Sequence, residues 1–220
     1  MSIKENIDNI VKELPDNVKL LAVSKTRSLE EMEEAYDYGL REFAENKVQE
    51  LVHKEESFHK DVKWHLIGKL QTNKVKYIVG KVDLIHSLSS VKLLNKIEDL
   101  YSKKNLTANT LIQINIGREE SKSGVLLEDL EELIENVENC NNVKVKGIMV
   151  IIPKGDEESN RNYFRKTHEI FSDLGKREFK NITMEVLSMG MTHDYKIAVE
   201  EGSNMVRVGT GIFGERNYNI

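Results

Sequence analysis

One cysteine, Cys140, stands among 220 residues. That forbids an internal disulfide and excludes both a multi-cysteine zinc site and a secreted disulfide scaffold. Long apolar runs are missing too. Nothing approaches the roughly 18 residues of a membrane span, and the opening MSIKENIDNI has no signal-peptide core. No Pro/Ser-rich linker, low-complexity tract or internal repeat divides the chain. No Gly-x-Gly-x-x-Gly follows the first apolar run and no P-loop occurs, which weighs against an open nucleotide-binding sheet. His53, His59, His86, His168 and His193 fall at no metal-ligand spacing, and His-Glu-x-x-His is absent. Charge is nearly balanced: 32 Lys+Arg against 37 Asp+Glu leave −5, which argues against broad nucleic-acid binding. The expectation is a single cytoplasmic domain over residues 1–220, with neither membrane nor nucleic acid as partner.

What the chain does have is alternation. Short apolar runs rich in β-branched residues recur every few tens of residues, with amphipathic stretches between most of them. The runs are Lys19–Ser24, Glu42–Glu45, Lys63–Ile67, Leu84–Leu88, Thr110–Asn115, Val143–Ile152, Met184–Ser188 and Met205–Val208. Several lack a polar alternation, as strands buried on both faces of a parallel sheet do. The spacers read as helices. Leu29, Met32 and Tyr36 form a stripe behind a Ser28/Glu31 capping box, with Gly39 as a stop. Further stripes run through Val91–Tyr101, Leu126–Val137 and Tyr163–Leu174, and shorter helices are predicted after Asn46, Thr72 and Thr192. Residues 2–13 add a leading helix closed by Pro15. Eight strand–helix units without a hairpin signal predict an α/β fold, a single-domain (β/α)8 TIM barrel with an extra N-terminal helix.

In such a barrel the working groups gather where strands end. Lys25 directly follows Leu20-Leu21-Ala22-Val23-Ser24. A lysine desolvated there has a depressed pKa, and its neutral amine can attack a carbonyl to form a Schiff base; a strand simply ending at a solvated lysine is the plain alternative. Ser188-x-Gly190-x-Thr192 offers hydroxyls and backbone N–H groups, and Gly209-Thr210-Gly211 lies at the next exit. Phosphate sites recur after strands seven and eight of this fold, although helix caps and turns also explain these residues. A lysine amine facing a phosphate cradle predicts a phosphorylated aldehyde, either pyridoxal 5′-phosphate (PLP) or a sugar phosphate. Arg207, within the last strand, either faces inward as a buried guanidinium needing an acceptor, such as a pyridine nitrogen, or pairs outward with a helix carboxylate. His65 sits between apolar residues, as satisfied core histidines do, and Asn46 with Gln49 has the look of a helix cap.

Several stretches together resemble the YggS/PROSC-type PLP homeostasis proteins. They are Ala22-Val23-Ser24-Lys25-Thr26, Phe43–Glu50, Trp64–Lys74, Asn115-Ile116 with Ser121-Lys122-Ser123-Gly124, Leu187–Thr192 and Met205–Gly214. The resemblance runs from about residue 3 to 218. It implies a barrel like the N-terminal domain of alanine racemase that holds PLP covalently on Lys25. It places Arg207 at the ring nitrogen, Ser188, Gly209 and Thr210 at the phosphate, and Asn46 and His65 around the ring. Lys122 matches a lysine of the family's Ser-Lys-Ser-Gly motif. Three departures stand out: Ala44 for a usual Gly, Lys69 for a common Pro, and Arg27 where many members carry a second Lys. The last puts in doubt any relay role that needs an amine there.

The resemblance also implies a carrier. PLP racemisation needs a proton-transfer group on each face of the substrate carbanion. Alanine racemases take the second from a tyrosine in an additional C-terminal domain, and the ten residues after Thr210 leave no room for one. An arginine at the ring nitrogen also disfavours its protonation and weakens the electron sink. The expected role is intracellular homeostasis of PLP (vitamin B6) and of amino and keto acids. Expected partners are PLP and PLP-dependent apo-enzymes as recipients, and the expected state is a monomer without efficient turnover. The rivals are a low-activity PLP-dependent racemase and a cofactor-free sugar-phosphate lyase or isomerase using Lys25.

Overall fold

The computed structural model describes residues 2–215. Each apolar run forms a strand: β1 Lys19–Val23, β2 Glu42–Glu45, β3 Lys63–Leu66, β4 Leu84–Leu88, β5 Ala108–Ile114, β6 Val143–Val150, β7 Ile182–Met191 and β8 Met205–Val208. They pair in chain order, all parallel, and β1 closes on β8 into an eight-stranded barrel. The predicted fold is the one observed. The largest boundary difference is β7, which extends beyond the predicted Met184–Ser188 at both ends.

Side chains alternate across each strand, so the barrel has two faces with different tasks. Outward residues join the helices in one large apolar cluster. Inward, Leu21, Val23, Ala44, Leu84, Leu111, Met149 and Met205 make a small second cluster. The register puts polar side chains on that same inner face. His65 pairs with Ala44 and Leu84, Gln113 with Met149, and Ser188 with both Met149 and Met205. His86 and Arg207 lie two residues beyond Leu84 and Met205 and share their orientation.

The helices are α1 Ile3–Glu13, α2 Leu29–Tyr38, α3 Val48–Ser57, α4 Val91–Ser102, α5 Leu130–Glu138, α6 Glu157–Gly175, α7 Tyr195–Glu200 and α8 Thr210–Phe213, with a 3₁₀ segment at Thr72–Tyr77. Capping boxes start α1 (Ser2, Glu5) and α2 (Ser28, Glu31), and Gly39 ends α2 in the left-handed region. The leading helix has a structural reason. Helix α8 is a single turn, and α1 packs against both it and α2, with Asn6 Nδ2 donating to the Ile212 carbonyl at 2.9 Å. Ile7 and Ile10 are buried in the process; α1 fills the place in the ring that a longer α8 would cover. No helix among the described residues is long and apolar enough to cross a membrane.

Two local features shape the open end of the barrel. Gly68, just beyond β3, passes so close to β2 that a Cβ there would meet the Asn46 carbonyl oxygen at 2.1 Å. The turn after β1 is held from below. Ser24 O accepts from Arg27 N at 2.9 Å and from Lys54 Nζ at 2.7 Å. Thr26 has φ 64°, a conformation costly for a β-branched residue. Its N–H donates to Glu50 Oε1 at 2.5 Å, and Lys54 Nζ joins Glu50 Oε1 and Glu45 Oε1, each at 2.8 Å. Ser24 Oγ also donates to Glu45 Oε1, at 2.7 Å. These contacts hold the strained turn and with it the direction of Lys25.

Burial pushes the Glu45 carboxyl from 4.5 up to about 7, against the pull of Lys54. The folded chain therefore retains a proton that the unfolded chain releases, and stability falls as pH rises from about 4.5 to 7. Glu45→Gln removes this contribution. Thermal melts should show the wild-type advantage over the variant shrinking across that interval and level above it; an advantage that grows with pH would contradict the assignment.

Candidate functional site

The strand ends surround a cavity of about 420 Å³ whose lining includes Lys25, Asn46, Lys69, Gln113, Lys122, Thr192, Arg207, Gly209 and Thr210. Its volume lies in the range of small-molecule sites. Lys25 is delivered by the β1 turn and is half-buried. Asn46 precedes α3 but does not cap it. The cap position belongs to Lys47, without a side-chain bond, and the buried Asn46 Oδ1 has no hydrogen-bond partner. Gln113, from β5, donates Nε2 to the Ser123 carbonyl at 2.9 Å and leaves its buried Oε1 unpartnered. Two buried acceptors thus border one cavity, each able to take a hydrogen bond from a donor within it.

Of the seven residues expected at the ligand, Lys25, Asn46, Arg207, Gly209 and Thr210 line this cavity. His65 and Ser188 do not. His65 is 3% exposed and Ser188 fully buried, both on the inner barrel face beneath the cavity. The reason for Ser188 is a bulge. Between β7 and β8, Ser188 pairs with Met205 but Met191 pairs with Arg207, so three steps on β7 match two on β8. Gly190 supplies the bend at φ 94°, and a Cβ there would strike Tyr195 Cα at 2.9 Å and Ala198 Cβ at 2.7 Å. Strand β7 therefore continues past Ser188, and the hydroxyl that reaches the cavity is Thr192, whose Oγ1 accepts from Gly211 N at 3.2 Å. Thr192 belonged to the predicted Ser-x-Gly-x-Thr motif; the bulge, invisible in the sequence, decides which of its hydroxyls is presented.

Lys69, Lys122, Gln113 and Thr192 complete the lining around the expected residues. Lys122 lies in the Ser-Lys-Ser-Gly stretch and Lys69 follows Gly68. Arg27 does not take part: it pairs with Glu31 at 3.0 Å, donates to the Gly214 carbonyl, and lies over the Phe213 ring. Its position ties the β1 turn to the end of α8 instead of placing a second cation beside Lys25.

Electrostatically the cavity is one-sided. Lys25, Lys69, Lys122 and Arg207 line it, and no Asp or Glu does so among the described residues, although the chain as a whole carries −5. Arg207 is 3% exposed; burial brings its guanidinium down to about 10 while Asp194 opposes the shift. Burial also holds His86 well below the ordinary histidine range, with the Arg207 charge acting in the same direction, so this ring is neutral. The arrangement offers a primary amine, a row of hydroxyl and backbone groups at the β7 and β8 exits, and a fixed cation between them. It suits a compact anionic ligand with an electrophilic carbon.

Residues 1–217 match the family model described as alanine racemase, N-terminal domain. A pyridoxal phosphate homeostasis protein of Aquifex aeolicus is 48% identical over 202 residues, covering 91% of this chain and 88% of that protein. The structure of PipY from Synechococcus elongatus, with PLP bound, superposes with a TM-score of 0.88 at 32% identity, covering 96% of this chain and all of PipY. An alanine racemase of Clostridium difficile shares the fold at a TM-score of 0.79 and 14% identity, over 99% of this chain and 60% of the enzyme. With its barrel, its strand-end motifs and these similarities, the chain belongs to the alanine racemase N-terminal domain family, alongside the pyridoxal phosphate homeostasis proteins.

Proposed function

We propose that this protein binds pyridoxal 5′-phosphate at the strand-end cavity, linked to Lys25 Nζ as a Schiff base, and acts in PLP homeostasis. One observation carries the reading: a lysine-bearing cavity lined by four cations and no carboxylate among the described residues, with hydroxyl and glycine groups at the β7 and β8 exits. The residues fit the group. Thr192, Gly209 and Thr210 would hold the phosphate, where a side chain at Gly209 would crowd the Val23 carbonyl at 3.1 Å. Arg207 would face the ring nitrogen, and Asn46 Oδ1 and Gln113 Oε1 are acceptors for a ligand hydroxyl or amine. When bound, PLP supplies a reactive aldehyde carbon that exchanges between amines. The chain's own part is to anchor the phosphate, orient the ring and surround the linkage with positive charge. The names of the relatives and the PLP-bound neighbour support this reading.

The arginine also argues for holding over turnover. A cation at the ring nitrogen opposes its protonation and weakens carbanion stabilisation. No tyrosine, the residue type that serves as the second proton-transfer group in alanine racemases, lines the cavity among the described residues. In this reading the protein keeps PLP within the cell in reversible, protected form, with amino acids or PLP-dependent apo-enzymes as recipients, and so buffers amino and keto acid chemistry.

The purified protein should show the visible absorbance of a lysine-bound pyridoxal. Borohydride reduction followed by peptide mapping should place the adduct on Lys25 and lose it in Lys25→Ala. An adduct on Lys69 or Lys122 in the wild type, or colourless protein without PLP after denaturation, would overturn the assignment. Thr192→Val removes one phosphate hydroxyl and should weaken PLP retention by about tenfold, the scale of one charge-assisted hydrogen bond. Equilibrium dialysis at constant ionic strength reads this directly, and retention equal to wild type would remove Thr192 from the cradle. Incubation with L-alanine should give no steady accumulation of D-alanine; sustained turnover abolished in Lys25→Ala would favour the racemase reading.

A further inference from the structure

Below the cavity, polar side chains cross the barrel interior from Arg207 to the opposite end. Arg207 Nη1 donates to Ser188 Oγ at 2.7 Å, and Nη2 to the Val150 carbonyl at 2.8 Å. Ser188 Oγ lies 3.2 Å from His86 Nδ1, and His86 Nε2 lies 3.0 Å from His65 Nδ1. His65 Nε2 reaches Glu42 Oε2 at 3.4 Å, and Glu42 Oε1 meets Lys19 Nζ at 3.2 Å. Lys19 and Glu42 begin their strands, so the line ends at the face of the barrel away from the cavity. Arg207, Ser188, His86 and His65 are each no more than 3% exposed.

The chemistry of the end groups gives this line a direction. A guanidinium can only donate, so Ser188 Oγ accepts from Arg207 and has one proton of its own to place. Its nearby acceptor is His86 Nδ1. A neutral His86 then carries its proton on Nε2 and donates to His65 Nδ1, and His65 donates from Nε2 to the Glu42 carboxylate. Every proton in the line has an acceptor in this arrangement. A doubly protonated His65 would reverse the His65–His86 and His86–Ser188 bonds and leave the Ser188 proton without one, while adding a second buried cation near Arg207.

We propose that Ser188, His86, His65 and Glu42 form a one-way hydrogen-bond relay that holds the Arg207 guanidinium in orientation from the far end of the barrel. Two of the five guanidinium N–H groups are engaged in these contacts, and the side chain borders the cavity. The relay orients and does not conduct. Glu42 is held well below the ordinary carboxylate range by the hydrogen bond from His65, and Arg207 remains a guanidinium, so the two charges rest at opposite ends of the line. His86 and Glu42 are positioning residues, acting through Arg207. Their effect on a ligand rests on the PLP reading above; the relay itself does not.

The test begins on the ligand-free wild-type protein with ¹⁵N-labelled histidine. Heteronuclear NMR near neutral pH should find His65 and His86 both as Nε2–H tautomers with unprotonated Nδ1. An imidazolium at His65, or a proton on Nδ1 of His86, would overturn the relay. The second arm uses PLP-loaded protein and two variants of one residue. His86→Leu removes the acceptor for Ser188 and should weaken PLP retention on the order of tenfold and shift the visible band. His86→Asn places Oδ1 where Nδ1 was and should restore both. Equal loss in the two variants, or no change in either, would remove His86 from the positioning of Arg207. Should His86→Leu not fold, the wild-type tautomers and the His86→Asn spectrum still decide. A wild type that takes up no PLP would sink the functional reading, while the tautomers would continue to test the relay.

Discussion

A guanidinium inside a barrel must be satisfied without water, and much of the interior is arranged around that demand. Removing an arginine from solvent costs several kcal/mol unless its donors are met, and Arg207 has no ion-pair partner among the described residues. Its donors instead meet a serine hydroxyl and a strand carbonyl. The serine's own needs then recruit His86, and through it His65 and Glu42. Around them the inner apolar cluster is small. The polar line thus occupies space that Leu or Val layers would otherwise fill in a barrel of this type, giving up apolar packing to set one cation at the cavity.

The opposite wall depends on a second buried cluster. Lys25 stands at the start of a turn in which Thr26 adopts a left-handed backbone, and such strain persists only where neighbours over-determine it. Lys54, Glu45, Glu50 and the Ser24 carbonyl supply that restraint from outside the barrel. Charge is segregated accordingly. Glu45 and Glu50 lie behind the turn against Lys54, and Glu42 lies at the far end, so no carboxylate among the described residues lines the cavity of this negatively charged chain.

Much of this was legible in the residues. The order of strands, the leading helix and the gathering of Lys25, Asn46, Arg207, Gly209 and Thr210 at one end follow from alternation, capping signals and the position of each residue at a strand exit. His65 and Ser188 were displaced for different reasons. Ser188 occupies a strand end only if β7 is regular, and one extra residue at Gly190 moves the exit to Thr192. His65 was assigned to the ring by resemblance, yet the barrel register turns it toward His86. Gln113 carried no sequence signal, because a glutamine inside a β-branched run reads only as an imperfect strand. The Glu45–Lys54 pair was hidden as well: nine residues separate the partners, and neither a strand-end glutamate nor a helix lysine announces burial.

Local physical chemistry thus determined, from the sequence by itself, which segments are strands and helices, and that eight such units can close a parallel barrel with a lysine, an arginine and glycine turns at its mouth. Only the tertiary structure decided which hydroxyl faces the cavity, where Arg27 points, and how a buried arginine is satisfied. The reason is that periodicity reports the face on which a side chain lies, whereas the partners of a buried polar group are set by the register and bulges of strands far apart in the chain. Ser188 and His86 are 102 residues apart and in hydrogen-bond contact, and only closure of the barrel brings them together.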